Sequence, residues 1–166
     1  TTHALANFSV AAVSAHVFLH LRDIGLDPIK ASTVIPIFAA IGFSFQLFGG
    51  LLGDRFEKRF LIASFMFIQS AAMVILALSE TYLMALAFAV TWGIGFGGRT
   101  PIMHAMRAEY FGARSFGTIL GLSSFMMSIS MIVAPVTIGY VFDVQGTYRW
   151  SFLVVAAACL IGSILI

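Results

Sequence analysis

Charged residues are scarce in this chain of 166 residues. Only 10% of them are Asp, Glu, Lys or Arg, whereas about a quarter is usual for a soluble domain. Hydrophobic residues make up 60% of the sequence, and the mean hydropathy is +1.02. This composition excludes an ordinary soluble domain and predicts a protein that spans a lipid bilayer.

Cysteine is also nearly absent, because Cys159 is the only one, and this excludes a disulfide framework. The net charge of +2 is small and the basic residues lie in separate short loops, which excludes a nucleic-acid partner. The sequence shows no cluster of carboxylates and no Ser–His pair. His16 and His20 are four residues apart but lack a third metal ligand nearby. We therefore expect no enzyme activity, no cofactor and no metal site.

Six apolar segments, separated by short polar runs, fill the chain. Each is close to the ~20 residues that a helix needs to cross a bilayer core of ~30 Å. A barrel strand would need only ~10 residues and would alternate polar and apolar side chains, so helices are expected. The sequence predicts an all-α multi-pass membrane protein. Its transmembrane helices are predicted at about 2–21, 31–52, 60–78, 82–105, 115–142 and 150–166.

The chain begins at Thr1 without a basic run before the first apolar segment, and its last residues are still apolar. A signal peptide is therefore not predicted. We expect the chain to be a fragment of a longer membrane protein.

Lysine and arginine are more frequent on one side of the predicted bundle. The loops 53–59 and 107–114 lie on that side and hold Arg55, Lys58, Arg59, Arg107 and Arg114. The other side holds only Arg22, Lys30 and Arg149. Because basic loops stay in the cytosol, both richer loops are predicted to be cytosolic in a cell-membrane protein.

A short repeat links the second and fifth segments. Gly-x-x-x-Asp occurs at Gly50–Asp54 and again at Gly139–Asp143, each time at the exit of a predicted helix. The copies are three helices apart and thus face opposite sides of the membrane. This favours a three-plus-three inverted repeat of the kind found in secondary transporters. The alternative is that Gly and Asp are simply common at helix ends.

The polar run from Gly50 to Arg59 resembles the signature loop of the major facilitator superfamily, which reads Gly-x-Leu-x-Asp-Arg-x-Gly-Arg-Arg. Glu57 stands where the family has glycine. In the family the loop is strong after the second helix and weaker after the eighth, so Glu57 fits the weaker copy. The matching residues are Gly50, Leu52, Asp54, Arg55, Lys58 and Arg59.

Two later stretches extend the resemblance to the whole chain. Residues 107–121 are similar to the loop between helices ten and eleven of the oxalate/formate antiporter and monocarboxylate transporter branch. Residues 135–150 resemble the turn from helix eleven to twelve. The resemblance implies helices seven to twelve, that is, the C-terminal half of a transporter. Its partners would be the bilayer, a small solute and the missing N-terminal six-helix half.

The resemblance also gives the signature loop a role. The Asp54 carboxylate would cap the N-terminus of the eleventh helix, here near Ser115, because free N–H groups and the helix dipole favour negative charge there. Arg55 and Arg59 would pair with acids such as Glu109. These contacts, with Gly50 and Lys58 in the same loop, would hold the cytosolic side closed. The alternative is that the basic residues only anchor the loop at lipid head groups, which we favour for Lys58.

Arg99 is the sharpest candidate for binding a solute. A charge inside an apolar segment is costly unless it faces a cavity or a partner. One interpretation is an anion site, because a guanidinium binds a carboxylate through two hydrogen bonds. The other is a gate or structural pair, because Arg99 lies ~25 Å from Tyr82 at ~1.5 Å per residue, near the cytosolic edge. Trp92, seven residues earlier, is expected to face the same cavity.

Two further polar residues lie inside apolar segments. His16 is a candidate for proton coupling or for hydrogen bonding to substrate, and the alternative is a histidine satisfied by a neighbouring backbone carbonyl. Gln46 follows a stripe of small residues formed by Ala39, Gly42, Gly49 and Gly53. It either belongs to helix packing or donates a hydrogen bond into the cavity.

We expect secondary active transport of a small organic anion, such as a carboxylate, by alternating access with proton coupling or exchange. The resembled branch often carries Arg or Lys in helices eight or eleven, and neither corresponding segment has one here. The anion role therefore falls to Arg99. The alternatives are efflux of drugs or other small molecules, and a non-transporting membrane sensor or scaffold.

Overall fold

A computed structural model describes residues 2–166, and it describes side chains for residues 6–112 and 117–166. The backbone is helical apart from short turns. The helical stretches are Thr2–Asp23, Pro28–Gly53, Lys58–Ala77, Tyr82–Gln145 and Arg149–Ile164.

The long stretch Tyr82–Gln145 is two helices joined at Gly112. Gly112 has φ 69° and ψ 164°, a conformation open to glycine and strained for other residues. The helices are called α1 (Thr2–Asp23), α2 (Pro28–Gly53), α3 (Lys58–Ala77), α4 (82–111), α5 (Gly117–Gln145, the part with described side chains) and α6 (Arg149–Ile164). The all-helical fold with six helices is confirmed.

The predicted loop over 107–114 is wrong in its extent. Arg107 and Glu109 lie on the last turns of α4, and the chain leaves helical geometry only at Gly112. Charged side chains at the end of a helix reach water along the helix surface, so they need no loop. The turn of α2 into α3 at residues 54–57 lies at the same end of the bundle as Gly112, and we call this the motif end.

Side-chain caps fix the starts of α2 and α4. Asp27 Oδ1 accepts hydrogen bonds from the amides of Ile29 (2.9 Å) and Lys30 (3.3 Å). Pro28 then occupies the first turn, where its missing N–H is harmless. As a result α2 begins three residues before the predicted position 31. Thr81 caps α4 in the same way, through the amide of Met84.

Three helices are long and apolar enough to cross a membrane among the described residues, and α6 is a shorter apolar helix. These spans are Pro28–Gly53, Lys58–Ala77 and Gly117–Gln145. Burial differs sharply between them. In its most apolar window half of α3 is buried inside the bundle, whereas only 17% of α2 and 11% of α5 are. α2 and α5 therefore present most of their surface outward.

The main apolar core lies between α1, α3, α4 and α6. Its largest fully buried side chains include Trp92, Phe88, Phe152, Leu21 and Met73.

α2 reaches the bundle through glycines, which bring its backbone against α4. A Cβ added at Gly49 would overlap the carbonyl oxygen of Gly98, and one added at Gly97 would overlap that of Gly42. Gly53 packs on Ile102. The packing interpretation of the small-residue stripe is confirmed at these glycines.

Candidate functional site

Arg99 is buried in the motif-end half of α4, with 3% of its surface exposed. Its Nη1 lies 3.9 Å from the Met103 sulfur, a weak acceptor. Its Nε has no hydrogen-bond partner among the described residues. A buried cation with an unfilled donor is unfavourable, and a hydrogen-bond acceptor at this position would reduce that cost.

A cavity of about 140 Å³ adjoins Arg99, between α1, α4 and α5. We call it the Arg99 cavity. Its walls combine basic, hydroxyl and apolar side chains. They are Asn7, Phe96, Arg99, Thr100, Met103, His104, Arg107, Leu120, Ser123, Ser124 and Met127.

Basic groups dominate the charge of this cavity. Arg99, His104 and Arg107 line it, and none of its described lining residues is Asp or Glu. Arg107 lies close enough to act electrostatically on Arg99, and both act on His104. Arg99, Met103 and Arg107 recur at intervals of four residues and therefore share one face of α4. The arrangement favours an anion.

The glycines before Arg99 bring α4 close to both α2 and α3. Gly97 faces Gly42 of α2, while a Cβ on Gly95 would come within 2.9 Å of the Gln69 amide nitrogen of α3. A Cβ added at Gly98 would likewise overlap the Phe65 ring. Residues 93–98 remain helical, so the glycines serve close approach rather than local unwinding.

A polar group missed in the sequence lies in the bundle interior. Gln69 of α3 is fully buried, and its Nε2 donates to Ser9 Oγ at 2.8 Å. Ser9 in turn donates to the Ala6 carbonyl at 2.7 Å. The Cys159 thiol lies beside Ser9 and within electrostatic range of Arg99, which places this group near the guanidinium. The sequence could have identified Gln69 by its primary amide inside an apolar segment, the same feature that identified Gln46.

Trp92 does not face the Arg99 cavity, which corrects the expectation. Its side chain is 1% exposed and belongs to the main apolar core, with the Phe88 ring centroid 5.9 Å away. A spacing of seven puts Trp92 on nearly the same face of α4 as Arg99, but two turns away along the helix. At the height of Trp92 this face of α4 packs into the main apolar core, and it does not reach the Arg99 cavity.

Gln46 is not brought to the cavity either. It is exposed on the outward surface of α2, although Gly42 and Gly49 on either side of it are buried against α4. The structure thus separates Gln46 from Arg99.

His16 joins α1 to α5. Its Nε2 lies 3.0 Å from the Pro135 carbonyl oxygen, and since a carbonyl only accepts, Nε2 donates. The interpretation as a histidine satisfied by a backbone carbonyl is confirmed for this nitrogen. Nδ1 is buried without a partner among the described residues, and the Tyr148 ring centroid lies 5.3 Å away.

Two further histidines lie in contrasting surroundings. His20 is buried, and its Nε2 donates to the Leu76 carbonyl at 2.9 Å. His104 is exposed at the motif end and lines the Arg99 cavity.

The signature loop forms an ion pair different from the expected ones. Lys58 Nζ lies 2.7 Å from Glu109 Oε1, so Lys58 takes the place predicted for Arg55 or Arg59. The reason is position: Lys58 is the first residue of α3 and faces the end of α4, while Arg55 and Arg59 are exposed.

The predicted cap by Asp54 concerns residue 115, which lies outside the described side chains. Asp54 itself is exposed, and its amide donates to the Gly50 carbonyl at 3.2 Å. A Cβ added at Gly50 would meet no described atom within 4 Å beyond its own part of the α2 backbone.

Comparison with known proteins gives the family. The model of the Major Facilitator Superfamily matches residues 2–166. Monocarboxylate transporter 13 of Bos taurus is 32% identical over 154 residues, which cover 89% of this chain and 35% of the relative. The niacin transporter NiaP of Acinetobacter baylyi is 28% identical over 115 residues, with coverage of 69% and 26%. A multidrug resistance protein B homolog of Mycobacterium tuberculosis is 27% identical over 105 residues, with coverage of 63% and 19%.

The chain therefore spans between about a fifth and about a third of the length of these relatives. The family model, in contrast, covers all of the described residues. This multi-pass membrane chain belongs to the major facilitator superfamily.

Proposed function

We propose that this chain is the C-terminal six-helix half of a secondary transporter that moves a small organic anion, such as a carboxylate, across the cell membrane. The observation that carries the proposal is Arg99. Among the described residues its buried Nε has no partner, and the cavity beside it has no acidic lining residue. Relatives that are monocarboxylate and niacin transporters support the substrate class.

The missing half would complete the site. α5 is largely uncovered, and it forms one wall of the Arg99 cavity through Leu120, Ser123 and Ser124. A site between two six-helix halves allows alternating access when one half rocks against the other. Transport would be coupled to protons or to exchange of a second anion.

We place the motif end in the cytosol. Arg55, Lys58 and Arg59 lie there, and so do Arg107 and Arg114, so basic residues are in excess at this end. The Arg99 cavity would then lie nearer the cytosol than the opposite face.

Efflux of apolar drugs is the second candidate, because one relative is a multidrug resistance protein homolog. The apolar side chains of Phe96, Leu120 and Met127 in the cavity wall favour it. The two candidates differ in what Arg99 does, since an uncharged drug needs no guanidinium.

The test uses the full-length protein in liposomes and measures counterflow of labelled short carboxylates. We expect Arg99→Gln to reduce counterflow by at least about tenfold, because a charge-assisted hydrogen bond contributes roughly 1.5–3 kcal/mol. Arg99→Lys should restore it only in part, since an ammonium lacks the planar fork. Arg149→Gln, an exposed change at the opposite end, is the matched control.

Carboxylate counterflow that survives Arg99→Gln would contradict the anion site. Efflux of apolar drugs without carboxylate counterflow would support the second candidate. A protein that moves neither class would be a sensor or scaffold.

A further inference from the structure

The Arg99 cavity contains a second arginine that a site for a single carboxylate does not need. Arg107 lies eight residues after Arg99 on α4, a rise of ~12 Å at ~1.5 Å per residue. Both side chains nevertheless line the same cavity of about 140 Å³. The two arginines therefore contribute to the wall of one cavity.

Neither arginine has an acidic partner among the described residues. The acid nearest along α4 is Glu109, and its carboxylate is engaged by Lys58 at 2.7 Å. His104, between the two arginines in sequence, adds a third basic group to the lining. Like charges that converge in a partly buried site repel one another, and a single negative charge would offset only part of this repulsion.

The cavity also offers a hydroxyl donor on the opposite wall. Ser123 of α5 lines it, and the Ser123 hydroxyl makes no hydrogen bond to the described residues. The hydroxyls of Thr100 and Ser124 instead donate to the carbonyls of Phe96 and Leu120. A ligand between α4 and α5 would thus meet cationic donors on one side and Ser123 on the other.

The cavity is also large enough for more than a solvent molecule. Its volume of about 140 Å³ compares with the ~10–15 Å³ that holds one water on the same measure. A short diacid or a phosphate ion would fill it better than a single water molecule or a monatomic ion.

From this convergence we infer that the Arg99 cavity selects anions with two negative charges, a short dicarboxylate or a phosphate, over monocarboxylates of the same length. The inference rests on the proposed function, in which Arg99 contacts the transported anion. Arg107 is the specificity-determining residue: Arg99 binds the first anionic group, and Arg107 binds the second.

The experiment measures apparent Kd values for the purified full-length protein by ligand-dependent thermal stabilisation at pH 7.5. The ligands are butyrate, succinate and inorganic phosphate, since butyrate and succinate share a four-carbon chain and differ by one carboxylate. We expect succinate to bind at least about tenfold more tightly than butyrate, as one further charge-assisted hydrogen bond predicts. Arg107→Gln should weaken the binding of succinate more than that of butyrate, and so bring the two Kd values within about twofold of each other.

The variants separate this inference from the proposed function. If Arg99→Gln weakens butyrate but wild-type protein does not prefer succinate or phosphate, only the inference fails. If Arg99→Gln changes the Kd of neither butyrate nor succinate, the proposed anion site itself fails. Equal weakening of butyrate and succinate by Arg107→Gln would also overturn the inference, because Arg107 would then not read the second charge.

Two arms and two controls complete the test. Phosphate binding as tight as succinate would support one doubly charged group, and tight binding of succinate alone would support two separate carboxylates. Arg107→Lys keeps the charge and should keep most of the preference for two charges. Arg149→Gln should leave every Kd unchanged, because it is exposed at the opposite end of the bundle.

Discussion

His16 connects two helices of the bundle through a single side-chain hydrogen bond to the Pro135 carbonyl, at 3.0 Å. We expect His16→Gln, which keeps an N–H donor, to retain most proton-driven uptake. His16→Ala removes the donor and leaves a void beside Tyr148, so it should lower the free energy of unfolding by roughly 1–3 kcal/mol. Thermal unfolding and uptake under an imposed pH gradient measure the two effects.

The glutamine variant decides between the two roles of His16. Glutamine does not titrate, so it cannot carry a transported proton. If His16→Gln folds normally and loses the dependence of uptake on the pH gradient, His16 takes part in coupling and the purely structural role is wrong.

The contact between α2 and α4 depends on glycine at defined positions. A Cβ at Gly49 would overlap the carbonyl oxygen of Gly98, whereas one at the adjacent Gly50 would meet no described atom within 4 Å beyond its own part of the α2 backbone. We expect Gly49→Ala to destabilise the protein by roughly 1–3 kcal/mol through overpacking. Gly50→Ala should be neutral or raise stability by up to about 1 kcal/mol, because alanine favours the helix.

Thermal unfolding of both full-length variants measures the effect. Gly50→Ala is the matched control for Gly49→Ala, because it makes the same change at the next residue. Equal stability of the two variants would show that α2 can move away from α4 without loss of stability. The close packing would then not hold this helix in place.

The helices were predictable from hydropathy alone, because a spanning helix needs a long apolar run. Their junctions were less so. The charges of Arg107 and Glu109 predicted a loop, yet the helix continues until Gly112, where the backbone adopts a positive φ. The start of α2 likewise depends on the Asp27 side chain, which accepts two backbone hydrogen bonds at the cap. Such local hydrogen bonds leave no trace in hydropathy.

Arg99 was predictable as a site residue, because a charge in an apolar segment is costly unless it faces a cavity or a partner. The shared cavity was not predictable. Helical spacing puts Arg107 on the same face of α4 as Arg99, but the cavity that Arg99, His104 and Arg107 line together forms only where α5 returns past α4. Trp92 shows the limit of helical spacing, since its face of α4 meets the core at a different level. Gln69 and Ser9 meet across sixty residues of sequence, and no local pattern indicates that contact.

At the scale of the whole molecule, α2 and α5 bury a much smaller share of their residues inside the bundle than α3 does. Only 11% of the most apolar window of α5 is buried in this unit, against 50% for α3. Large apolar side chains such as Leu122, Phe125 and Ile132 are more than half exposed on α5. Lipid or the proposed second half can cover such a surface in a membrane. The cavity wall formed by the same helix is the reason to favour the second half.

The ion pair between Lys58 and Glu109 ties the start of α3 to the end of α4 at the motif end. Its side chains are 23% and 61% exposed, so breaking it should cost only about 0–1 kcal/mol of unfolding free energy. A pair of this strength can still shift the balance between two transport conformations by up to about fivefold. We expect Lys58→Glu and Glu109→Lys each to change the uptake rate, and the double exchange to restore it.

Arg59→Glu is the control for this last prediction, because it makes the same charge change one residue away at an exposed site without touching the pair. A double-mutant cycle on uptake rates, with thermal unfolding measured in parallel, separates a conformational role from a loss of fold. Additive effects in the cycle would mean that the pair does not act as a unit. If Arg59→Glu matched Lys58→Glu, net charge at the membrane surface, rather than the contact, would control the rate, as expected for residues that only anchor the loop at lipid head groups.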